Sequence, residues 1–104
     1  MIRLYLLPVA GLLAAGPAAA GDLADCNWNG IPLYGEVEVV DSFPDIKVRI
    51  VDSFPDLNVE VVTSFPDECG MWELVDSFPD FTIQYVDSFP DIEIEMVTSY
   101  PGLP

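Results

Sequence analysis

The chain has 104 residues, 18 of them acidic and 3 basic, with no histidine, two cysteines and a formal charge of −15. That length holds one domain, and the charge excludes nucleic acid and an anionic membrane surface as partners, because neutralising phosphate needs clustered Lys and Arg. The 51% apolar content excludes a charge-swollen disordered tail.

Arg3 followed by uncharged Leu4 to Ala20, interrupted by Pro8 and Pro17, reads as a secretory signal. The run is too short to span a bilayer. Ala18-Ala19-Ala20 matches the small-residue cleavage rule, so residues 1–20 are expected to leave and Gly21 to become the N-terminus. The alternative is a lipoprotein signal ending at Leu23-Ala24-Asp25-Cys26; Asp25 speaks against it, because a small residue normally precedes a lipidated cysteine. Cleavage removes Arg3, leaves Lys47 and Arg49 as the side-chain cations and shifts the net charge to −16. The expected product is a periplasmic or extracellular protein with no membrane insertion after cleavage: an N-terminal segment, 21–35, and a β-repeat domain, 36–104.

Asn27-Trp28-Asn29-Gly30-Ile31-Pro32 combines turn signals with an aromatic and is the least repetitive part of the exported chain. A binding site is sought there first. Cys26 and Cys69 lie 43 residues apart and, outside the cytosol, are expected to form a disulfide. A metal or redox pair would want a C-x-x-C spacing or histidine partners. The bridge would bring Trp28 and Trp72 into one neighbourhood, covering it or forming a binding surface.

Self-similarity is the strongest signal. V-D-S-F-P-D begins at Val40, Val51, Val75 and Val86, V-T-S-F-P-D at Val62 and V-T-S-Y-P-G at Val97. The starts fall 11 apart except between Val62 and Val75, where Glu68 to Trp72 stretches the step to 13. Second residues run Asp, Asp, Thr, Asp, Asp, Thr, so the chain reads as two three-repeat halves offset by 35 and joined at Cys69 and Gly70. Between motifs the apolar residues alternate: Ile46, Val48, Ile50; Leu57, Val59, Val61; Phe81, Ile83, Tyr85; Ile92, Ile94, Met96. Period two with β-branched enrichment predicts strands of about six residues buried on one face. Because 11 is odd, each connection must absorb one residue to keep the apolar set facing the same way. Proline fixes its own φ and biases the preceding aromatic toward extended backbone, while Ser and Asp are placed to close local turn bonds. Nothing after residue 20 has helical periodicity. A meander or an interleaved pair of sheets is easier to build than an 11-residue β-helix coil.

The V-D-S strings before a turn aromatic, the irregular Gly70-Met71-Trp72-Glu73-Leu74-Val75 segment at the midpoint and the early cysteine resemble the septoil knot domain family of small exported bacterial proteins. In that family short repeated strands wind into a seven-crossing torus knot. The likeness covers residues 26–104. It implies an all-β fold of six 11-residue strand-turn repeats in two pseudo-symmetric halves, interlaced or knotted, and no particular activity. An unknotted β-repeat sandwich is the alternative.

Without histidine, catalysis would fall to carboxylates alone, yet every turn repeats the same Asp pair, whereas an active site is usually singular. The expectation is a non-enzymatic structural or interaction module that needs no cofactor and favours a cationic or protein partner. The alternative is a calcium-dependent surface protein. Its ligands would be the i, i+4 pairs Asp41/Asp45, Asp52/Asp56, Asp76/Asp80 and Asp87/Asp91, although no window matches a calcium loop. The competing role for these pairs is turn capping and a solvated acidic rim. Phe43, Phe54, Phe65, Phe78, Phe89 and Tyr100 are expected to plug the core beneath each turn rather than form a ligand platform.

Overall fold

The computed structural model describes Leu23 and residues 25–104. The signal sequence and its cleavage site lie outside the described residues. Two short antiparallel strands come first, β1 (Asn27–Trp28) and β2 (Ile31–Pro32). Asn29 and Gly30 between them both adopt positive φ, as a two-residue hairpin turn demands. The Gly30 N–H donates to Asn27 Oδ1 across the turn at 2.9 Å.

Six strands follow: β3 (Gly35–Val39), β4 (Ile46–Ile50), β5 (Leu57–Val61), β6 (Met71–Leu74), β7 (Phe81–Tyr85) and β8 (Ile92–Met96). They close into one barrel in the order β3-β6-β5-β8-β4-β7, every pair parallel. The described residues are all-β, with no helix. A closed barrel removes both the sandwich and the meander.

Going round the ring, strands of the first half (β3, β4, β5) alternate with strands of the second (β6, β7, β8). Each 11-residue step therefore skips one position, and three such steps around six positions would return the chain to β3. That place is taken. The longer step between β5 and β6 moves the chain to the adjacent position instead, so that the second half fills the gaps left by the first. Residues 62–70 are this odd link, and the irregular sequence from Glu68 falls at its end.

Parallel strands ordinarily need a crossover of a dozen or more residues, because the chain must return along the strand. Here Val39 and Ile46 both lie opposite Ile83, and Ile50 and Leu57 both lie opposite Ile94. A strand ends level with the start of the next, on either side of the strand between them. The connection spans only two interstrand spacings, about 10 Å, and six residues suffice. Val40 N–H donates to the Ile83 carbonyl at 2.8 Å, Asp45 N–H to Thr82, and the Gln84 amide to the Asp41 carbonyl, so the connection crosses β7 on the outer surface.

The strands share the burial pattern of β4, where Ile46 and Val48 are fully buried and Ile50 is 53% exposed. The expectation that all three apolar positions face the core holds for two. Five of the strands are five residues rather than six and β6 is four, and the last residue of each, at Val39, Ile50, Val61, Leu74, Tyr85 and Met96, lies at the rim. Ten residues from β3 to β8, among them Val37, Val48, Leu57, Trp72, Ile83 and Ile94, fill the interior, each burial stabilising by roughly 1.5–3 kcal/mol. Leu23, Cys26 and Leu33 extend this core, with Trp28, Ile31 and Cys69 packed against it. The expected disulfide joins Cys26 to Cys69, with Cα atoms 5.8 Å apart. The Leu33 carbonyl accepts from Gly70 N–H and from the Trp72 indole, at 3.0 and 3.1 Å.

Candidate functional site

The crossing connections carry the residues that the repeats multiply. In each V-x-S-F/Y-P-x stretch the aromatic has φ between 52° and 57°, the left-handed region, rather than the extended backbone that proline favours in its neighbour. This residue absorbs the odd step of an 11-residue period: it interrupts the alternation and lets each strand restart with its first side chain inward. The left-handed turn also aims the ring away from the barrel. Phe43, Phe54, Phe65, Phe78, Phe89 and Tyr100 are 82–97% exposed, so they are not core plugs. The core needs none, because the strands already fill a narrow interior.

The rings form a belt. The connections bearing Phe43 and Phe54 cross β7 and β8, and those bearing Phe78, Phe89 and Tyr100 cross β3, β4 and β5. The connection bearing Phe65 starts the same way, with Val62 N–H donating to Trp72 of β6. Each barrel strand thus has one aromatic connection against it, and each half lays its connections over strands of the other.

The two Asp residues of each pair do different work. Asp45, Asp56, Asp80 and Asp91 accept, through Oδ2, the backbone N–H of Thr82, Glu93, Glu36 and Lys47 on the crossed strands, at 2.8–2.9 Å. These bonds reach 37 or 44 residues along the chain, so they fasten connection to strand rather than cap a local turn. Asp41, Asp52, Asp76 and Asp87 are exposed, and the bonds made to Asp41 and Asp87 go to their backbone carbonyls. At the last connection Gly102 stands in the fastening position. Its backbone N–H and carbonyl both bond Asn58, a positive φ turning the peptide to replace the carboxylate. Among the described residues no group of three or more His, Cys, Asp or Glu is placed to hold a metal ion. Asp80→Ala is expected to cost about 1 kcal/mol by freeing the Glu36 N–H, while Asp76→Ala stays within about 0.5 kcal/mol. Urea unfolding of both variants checks it, and equal losses would contradict the division of labour.

The two cations are placed unequally. Arg49 pairs with Glu93 and donates to the Asp87 carbonyl at 3.3 Å, whereas Lys47 is exposed. The acidic surface is little compensated. Burial raises the Tyr85 hydroxyl pKa above its ordinary value. Trp28 is half-buried against the core, and Trp72, 1% exposed, packs edge-on to Phe81 with ring centroids 5.6 Å apart. Being interior, Trp72 is withdrawn from any binding surface. Beside the N-terminal hairpin a cleft of about 530 Å³ is lined by Ile31, Pro32 and half-exposed Tyr34, with Asp67 and Asp80 at the facing connections.

The exposed belt was missed by reading aromatic as buried. Its available signal was that each ring stands alone among polar turn residues, outside the alternating run.

The family profile described as the 7(1) septoil knot domain matches residues 30–104. An uncharacterized protein, slr1025, of Synechocystis sp. (strain ATCC 27184 / PCC 6803 / Kazusa) is 67% identical over 51 residues, which are 49% of this chain. The matched stretch spans 46% of that relative's length.

Proposed function

The chain belongs to the septoil knot domain family, and on that scaffold we propose that it works as an exported, non-enzymatic interaction module whose binding elements are the crossing connections. The observation that carries this reading is the exposure of six aromatic rings in left-handed backbone. A left-handed residue other than glycine or asparagine costs roughly 1–2 kcal/mol, and an exposed ring recovers little of that from packing. Folding alone would favour Asn or Gly at all six positions, so the rings are kept for what they meet outside the fold. The interlacing of the halves supports the knotted path that the family's description names. A calcium-dependent role has less behind it, since four carboxylates already fasten connections to strands.

Replacing all six rings by Asn tests the module reading. The expected variant keeps its β-sheet circular dichroism and melts no lower than the parent, because Asn tolerates the left-handed region. A clear fall in Tm would show the rings to be structural and overturn the reading.

A further inference from the structure

The belt and the charge together specify a kind of partner: we infer that the ring of connections binds an extended, arginine-rich polypeptide segment. The inference rests on the module reading and deepens it. Phe43, Phe54, Phe78 and Phe89 each stand two residues after one Asp and two before another, in D-S-F-P-D. Each of these rings, its face negative at its centre, thus follows an exposed acid two residues before it, Asp41, Asp52, Asp76 or Asp87, while the second Asp is fastened to the crossed strand. A guanidinium can lie flat on the ring and pair with the flanking acid, and its weak hydration makes leaving water less costly for it than for an ammonium. The formal charge of −15 disfavours nucleic acid, acidic glycans and a second copy of the same chain. A neutral sugar would use the rings but gain nothing from the acids beside them.

The arrangement also limits the partner's shape. Round the barrel the rings follow the strand order, Phe78 at β3, Phe65 at β6, Tyr100 at β5, Phe54 at β8, Phe89 at β4 and Phe43 at β7. A globular partner would meet one side of this belt. A flexible basic segment can follow it, engaging neighbouring rings in turn.

The test is fluorescence anisotropy of labelled nona-arginine and nona-lysine with the full chain at about 150 mM salt, where free surface charges are screened beyond roughly 8 Å. Saturable binding is expected, several-fold tighter for arginine than for lysine. Exchanging all six rings for Leu keeps the exposed apolar groups and removes the π faces. It should weaken nona-arginine at least tenfold, at two- to fivefold per engaged ring. If that variant loses its fold, Phe43→Leu and Phe89→Leu, at adjacent ring positions, give the same comparison two rings at a time. Undiminished binding by the Leu variants, no preference for arginine, or no binding at all would overturn the inference. None of those results touches the module reading, which fails only if the Asn variant melts lower.

Discussion

Gly70→Ala is expected to destabilise by more than about 3 kcal/mol, lowering the Tm by well over 10 °C at the 4–8 °C per kcal/mol usual for a domain of this size. Gly70 has φ +83°, and a Cβ there would run into the Asn58 carbonyl oxygen and lie 2.5 Å from the Gly102 nitrogen. Neither can move aside. Asn58 and Gly102 are bonded to each other in both directions, Gly70 N–H donates to Leu33, and Glu60 N–H donates to the Gly70 carbonyl. The odd link, the last connection and the N-terminal segment all meet at this glycine. Gly30→Ala is the control: φ is +90° there as well, but nothing lies within 4 Å of the added carbon. It should cost only the backbone strain, roughly 1–2 kcal/mol. Urea unfolding of both variants separates close packing from conformation, and equal losses would leave conformation as the whole explanation.

Much of the scaffold was legible because repetition and alternation are local. Ile46, Val48, Leu57, Val59, Phe81, Ile83, Ile92 and Ile94 announce themselves at period two, and all are buried. The odd step at Cys69-Gly70 was visible as a 13-residue interval. What it does was not, because ring position is set by which strand each connection crosses, and that is a relation between residues about 40 apart. The fastening role of the second Asp of each pair was hidden for the same reason: an i, i+4 spacing suggests a local cap, whereas Asp80 reaches back to Glu36. Ile50 and its equivalents look identical to Ile46 in sequence. Only the height of the closed barrel decides that the fifth residue reaches the rim. Phe43 and its counterparts were misplaced by a composition rule, since hydrophobicity says where a ring would gain most and not whether the backbone lets it turn inward.

Removing the disulfide is expected to cost roughly 3–4 kcal/mol. Cys26→Ser and Cys69→Ser should fall within about 1 kcal/mol of each other, and the double variant should lose no more than the larger single loss, since one cross-link is removed in every case. Strongly unequal losses, or additive ones, would mean that contacts of the individual residues dominate. The bridge encloses β1 to β5 and leaves β6 to β8 outside it. In the unfolded chain it therefore holds the whole first circuit in a closed loop, while the second is free. Reduction should accordingly steepen the denaturant dependence as well as lower the midpoint, because an opened loop exposes more surface on unfolding. A lower midpoint with an unchanged slope would locate the stabilisation elsewhere. It would then belong to the native seam, where Cys26 and Leu33 close over Gly70 and Trp72, rather than to the entropy of the loop.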